Sequence, residues 1–165
     1  MLIVRLCKVA MTAALASFAF VVCYDNIVDY DSNYTFVRHV LSMDTTFPGN
    51  ALMHRAITNE AAWKAAYALI IAAEGVTFLL LAIGAAFMTV RLRSLAAVFQ
   101  RAKTWVVAGA TAGFGVWFFG FMVVGGEYFA MWQSQTWNGQ EAAFRFYMAV
   151  LGVMIFVNQP DPDLA

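Results

Sequence analysis

The sequence predicts an all-α membrane protein: a four-transmembrane-helix bundle, both termini cytoplasmic, with a long outer loop containing one or two short amphipathic helices. Three observations predict it. Hydrophobic residues make up 62% of the 165-residue chain and charged residues 12%, against about 45–50% and about 25% in soluble domains. Four apolar stretches approach or exceed the length of about 20 residues that a helix needs to cross the hydrocarbon core. The basic residues gather on alternate connections, which orients the crossings. The length fits one integral membrane domain over residues 1–165. Ten basic and ten acidic residues leave no net charge, and without a basic excess no nucleic-acid partner is expected.

The first helix spans about residues 6–24. Arg5 and Lys8 before an apolar run resemble a signal peptide, but small residues are missing before Cys23, so a retained helix is expected. Cys7 and Cys23 are separated by about 24 Å of helical rise, too far for a disulfide between them. The second helix spans residues 61–90 and carries Lys64 and Glu74. The third spans 105–131 and the fourth 140–157, with Arg145 inside it. Arg91, Arg93, Arg101 and Lys103 lie in a short basic loop, 91–104, whereas loop 25–60 holds two arginines against five acids. The basic loop and both termini therefore face the cytoplasm, and loop 25–60 faces outside.

Gly109 and Gly113 form a GxxxG pair that admits a close neighbouring backbone, and Gly120 continues near that face. Ala149 and Gly152 form a small-residue stripe on the fourth helix, shared with Arg145. Counting depth at 1.5 Å per residue puts Glu74 about 25 Å and Arg145 about 20 Å above the inner boundary. A charge in hydrocarbon needs a partner, so Glu74 and Arg145 are expected to meet, with Glu127 and Lys64 as further members of the cluster. The functional reading is an ion or proton site or a polar pocket. An interhelical salt bridge that fixes register is the favoured reading.

Loop 25–60 is far longer than a helix connection needs. Phe36, Val37, Val40 and Leu41 fall at helical spacing, so a short amphipathic helix is expected there, and a second between residues 50 and 57. Phe36, Arg38, His39, Met43, Asp44 and Arg55 are its candidate contact residues. Asp29, Asp31 and Asn33 alternate like the start of a calcium loop, but Tyr34 replaces the needed glycine and Val40 the closing glutamate. No metal and no cofactor is expected: no histidine lies in a span, and CxxC, HExxH, Walker and GxSxG motifs are missing. The aromatic run Trp117, Phe118, Phe119 and Phe121 surrounds its helix and reads as lipid contact.

The stretch "NYTFVRHVLSMDTTFPGNALMHRAI", followed by a glutamate-bearing second helix, resembles an uncharacterised bacterial family of predicted small integral membrane proteins, domain of unknown function 2165. "FVRHVLSMDTTF" at 36–47 and Arg55-Ala56-Ile57 carry the resemblance most specifically. It implies four helices and an inner-membrane location, and it transfers no functional residue. The expected role is a non-catalytic accessory or assembly subunit of a larger inner-membrane complex, in contact with lipid and with a protein partner or further copies of itself. Two alternatives stand beside it. One is a small transporter or channel-like oligomer built around Glu74, Arg145 and Glu127. The other is a lipid- or quinone-acting enzyme using His39, Asp44 and Glu127.

Overall fold

The computed structural model describes residues 2–163 and is helical nearly throughout. Four helical stretches are long and apolar enough to cross a membrane: Leu2–Val28, Glu60–Val90, Ala96–Tyr128 and Gln140–Asn158. Helix α1 is Leu2–Val28, α2 is Tyr30–Ser42, α3 is Glu60–Val90, α4 is Ala96–Ala102, α5 is Thr104–Phe114 and α6 is Gln140–Asn158. Around the bundle the order is α1, α3, α5, α6, with α6 closing back onto α1. Both described chain ends lie at one end of the bundle, here the terminal end. Helix α2 lies at the other, the loop end.

Helix α1 runs four residues past its expected stop. Its buried face continues from Thr12, Leu15 and Ala19 to Asn26, which is 5% exposed. A single residue, Asp29, breaks the axis before α2 starts. Val37, Val40 and Leu41 turn inward from α2 onto Tyr67, Phe129 and Met131. Met43 ends α2 in the left-handed conformation, φ 53°, and its amide bonds to the Val40 carbonyl. That conformation is unfavourable for a side chain with a Cβ, and the burial of Met43 offsets it. The chain turns at Gly49, φ 77°, and a short 3₁₀ turn spans Met53–Arg55. The Ile57 amide then bonds back to the Leu41 carbonyl at 2.8 Å.

Asn59 caps α3, accepting from the Ala61 amide at 2.8 Å and the Ala62 amide at 3.3 Å. The inward residues of α3 are Tyr67, Glu74, Thr77, Leu81, Gly84, Ala85 and Met88. Glu74, Thr77, Leu81, Gly84 and Met88 follow at alternate three- and four-residue steps, the spacing of a helix seam packed against its neighbours. Helices α3 and α5 approach closely through glycine on both sides: a Cβ at Gly84 would stand 2.9 Å from the Val106 amide nitrogen, and one at Gly109 would stand 2.9 Å from that of Leu81. Gly113 faces Thr77 one turn on. The GxxxG pair therefore packs against a helix of its own chain.

Helix α4 occupies part of the stretch read as the basic loop, because Phe99 and Ala102 are apolar and dock under the bundle. After α5 the backbone changes to a π-helix over Gly115–Tyr128, far longer than the usual single-turn bulge. Glycines recur every fifth residue, at Gly115, Gly120 and Gly125, matching the i→i+5 repeat. Of the aromatic run, only Phe119 is exposed. Trp117 is buried against Phe18 and Phe146, Phe118 packs on Phe114 and Tyr147, and Phe121 packs on Phe36. Lipid contact accounts for Phe119 alone.

The terminal end is fastened by buried charges. Lys8 donates to the Gln159 carbonyl at 2.6 Å and pairs with Asp161 at 3.0 Å. Lys103 donates to the same carbonyl at 2.7 Å and pairs with the same carboxylate oxygen. Arg5, fully buried, donates to the carbonyls of Leu92, Ser94 and Pro162 at 3.1, 2.7 and 3.0 Å. Burial by itself would push the Asp161 carboxyl up. The hydrogen bonds and charges of Lys103 and Lys8 outweigh it and hold the group below its ordinary value. Three of the six basic residues read as orienting charges are thus spent on the tail.

Candidate functional site

A cavity of about 230 Å³ lies toward the loop end between α1, α2, α3, α6 and the π segment. Its polar lining is Asn26 of α1, Asn33 of α2, and Tyr67 and Glu74 of α3. Glu74 is 2% exposed. Asn26 Nδ2 donates to Glu74 Oε2 at 2.7 Å. Asn26 Oδ1 accepts in turn from Asn33 Nδ2 at 2.6 Å. The Tyr67 hydroxyl donates to the Asn26 backbone carbonyl at 3.0 Å, with Asn26 Oδ1 at 3.3 Å. No donor among the described residues reaches Glu74 Oε1. The rest of the wall is apolar and aromatic: Phe36, Trp117, Phe121 and Phe146.

The expected charge cluster does not form. Arg145 pairs with Glu141 on its own helix, and the two side chains are 70% and 81% exposed. Lys64 pairs with Glu60 at 2.7 Å, also at the surface. Glu127 is exposed and makes no ion pair among the described residues. The reason lies in the face of α6. Its buried residues are Ala143, Val150 and Val157, a heptad stripe. Arg145, Ala149 and Gly152 lie on the opposite side of that helix. Ala149 and Gly152 are exposed, and a Cβ at Gly152 would meet nothing within 4 Å. The small-residue stripe and the arginine do share a face, as the spacing predicts, but that face points away from the bundle. Gly120 likewise meets no neighbouring helix, only its own Gly115 carbonyl at 3.8 Å.

Asn26 is the residue that sequence reasoning missed, because it was assigned to the loop. The signal was present: from Arg5 to Asn26 is about 31 Å of rise, and from Leu92, which Arg5 grips, back to Glu74 is about 27 Å. The two therefore reach similar heights on adjacent helices.

The other expected contact residues gather in two places. His39 Nδ1 lies 2.9 Å from Asp44, its ring stacks on Trp137 at 4.6 Å, and Arg38 reaches its Nε2 at 3.1 Å. Arg55 donates to the Tyr128 carbonyl at 3.1 Å and lies over the Tyr128 ring, placing a cation at the carbonyl end of the π segment. Met43 is buried, and Phe36 bridges to Phe121 and Trp137. Asn33 turns to Asn26, away from any grouping with Asp29 and Asp31.

Beside the polar cavity runs a groove of about 640 Å³ between α2, α3 and the π segment. The two share Phe36, Val37, Ile70 and Phe121 as wall. The groove is lined by apolar residues, and Ala66, Ala73, Ala112, Gly115, Gly120 and Gly125 keep its floor low.

The family model of predicted small integral membrane proteins, domain of unknown function 2165, matches residues 4–160. No curated protein and no solved structure matches the chain.

Proposed function

We propose, from the premise that this chain belongs to the family of predicted small integral membrane proteins with domain of unknown function 2165, that it works by holding a small molecule in the Glu74 cavity. The observation that carries this reading is a buried carboxyl, one oxygen of which has no protein donor, beside space the side chains leave unfilled. A carboxylate in so apolar a setting is costly without a partner, and a bound molecule is one way to supply it. The charge asymmetry supports an orientation with the terminal end in the cytoplasm and the loop end outside. The test is native mass spectrometry of the protein extracted from its own membrane in dodecyl maltoside. A small-molecule adduct is expected on the wild type. In Ala142→Trp, which fills the cavity from its rim, occupancy should fall at least about tenfold. An unliganded wild type, or an adduct indifferent to Ala142→Trp, would overturn the reading.

A second reading keeps the role of accessory or assembly subunit, and the groove favours it. Its alanine and glycine floor would let the backbone of a transmembrane helix from another protein come close. Gly120→Leu is the discriminating change, since Gly120 lines the groove and a Cβ there meets only the Gly115 carbonyl of its own segment. The expected result is a larger complex with the wild type on gentle extraction and its loss with Gly120→Leu. A complex that survives the substitution removes the groove from consideration.

A further inference from the structure

We infer that the Glu74 cavity is built for a quaternary ammonium group, an organic monocation without N–H donors. This rests on the reading of the cavity as a ligand site and names the chemistry it would take. The first argument is charge. Among the described residues Glu74 carries the one carboxyl in the cavity wall, and no lysine or arginine lines the cavity. Lys64, Arg145 and Arg55 are each engaged elsewhere. The bundle thus presents an acid without its own counter-charge.

The second argument is the wall. Phe36, Tyr67, Trp117, Phe121 and Phe146 line the cavity with five aromatic rings. Ring faces attract cations, and a set of them around a carboxylate is the environment that recognises an alkylated ammonium. Tyr67 already donates its hydroxyl proton to Asn26, so toward a cation it offers its ring and an accepting oxygen.

The third argument is size and the count of free acceptors. The cavity holds about 230 Å³, several times one water's share of liquid volume, about 30 Å³. A lone proton or a bare metal ion would leave most of it empty. A primary ammonium has three N–H groups to satisfy, and Asn26 Oδ1 already accepts from Asn33; the oxygens left, those of Glu74, Asn33 and Tyr67, lie on one side of a wall that is otherwise apolar and aromatic. A quaternary ammonium asks only for charge and for apolar or aromatic contact.

The experiment compares choline with its neutral isostere 3,3-dimethylbutan-1-ol, on the full chain in dodecyl maltoside, which carries no ammonium of its own. Titration calorimetry gives affinity, and the fluorescence of Trp117, identified by difference from Trp117→Leu, reports on the cavity itself. Choline should bind saturably and at least about tenfold more tightly than the isostere. Glu74→Gln should remove that preference, and Glu74→Asp should keep part of it. Trp117→Leu should weaken choline roughly two- to thirtyfold. Size-exclusion profiles check the fold of each variant, and the wild-type comparison of the two probes decides the matter if a variant fails to fold. Equal binding of choline and isostere, or choline binding unchanged in Glu74→Gln, overturns the proposal. An uncharged molecule found in the cavity would sink the cation and leave the ligand site standing. An empty cavity under all conditions would sink both.

Discussion

Asp161→Ala is expected to lower stability by about 3–5 kcal/mol, the usual cost of removing one partner from a buried ion pair. The Asp161 side chain is 3% exposed and faces two lysines that are each 1% exposed. Removing it leaves Lys8 and Lys103 beside each other, buried and uncompensated, at the point where the tail meets α1 and α5. Thermal unfolding in detergent measures the loss, and protease cleavage after Asn158 reports release of the tail. Asp163→Ala is the control. Asp163 is exposed and caps the Ala96 amide, so its removal should cost about 1 kcal/mol. A loss for Asp161→Ala no larger than for Asp163→Ala would show that the clasp contributes nothing.

The same site gives a pH dependence with a definite sign. The folded-state pKa of Asp161 is lowered, so its stabilisation is fully present above the unfolded aspartate value, about 3.9. It is lost as pH falls through the lower folded value. Wild type should therefore lose stability below about pH 4, and this part of the loss should vanish in Asp161→Asn. An identical acid limb in the two proteins would contradict the assignment.

Gly109→Leu is expected to prevent the α3–α5 contact and with it the bundle. The neighbour that would have to yield is backbone: a Cβ at Gly109 lies 2.9 Å from the Leu81 nitrogen and 2.8 Å from Leu81 Cγ. Even Gly109→Ala or Gly84→Ala should cost about 1–3 kcal/mol by overpacking, although alanine favours an isolated helix by about 1 kcal/mol. The two alanine changes act on one helix contact, so their effects should not add. Gly152→Ala, with nothing within 4 Å, should be neutral or slightly stabilising. Unfolding midpoints of the four variants separate these cases. Equal midpoints for Gly109→Ala and Gly152→Ala would show that α3 and α5 can part without loss.

The reading of Glu74 shows how far sequence reasoning reached. Depth along a helix follows from counting residues, and counting placed Glu74 and Arg145 at heights where they could meet. Whether they do depends on rotation about the axis of α6. That helix has two candidate inward faces, Ala143–Val150–Val157 and Arg145–Ala149–Gly152, and the first is the one buried. Small residues and branched apolar residues both pack against helices, so composition does not choose between them. The neighbours do: Phe18 of α1 and Trp117 of the π segment pack against the side of α6 that carries Ala143 and Phe146. Asn26 escaped for a different reason. The polar run "YDN" reads as the end of a span, while in the structure hydrogen bonding to Glu74 and Tyr67 lets α1 carry its asparagine inward for another turn. In the same way, GxxxG gave a close contact but not its partner, and the basic residues of the terminal end gave a charge asymmetry but not the clasp that buries half of them.

By itself the sequence determined the all-helical class, the four apolar stretches and their approximate limits, since these follow from local hydropathy and length. It also determined that Glu74 needs an explanation. Only the tertiary structure decided that its partner is an asparagine on the neighbouring helix, that Arg145 turns outward, and that aromatic rings line the space beside the free carboxyl oxygen. The physical reason is that burial along a chain is a one-dimensional property of each segment, whereas the face a helix presents is fixed jointly by all the helices packed against it.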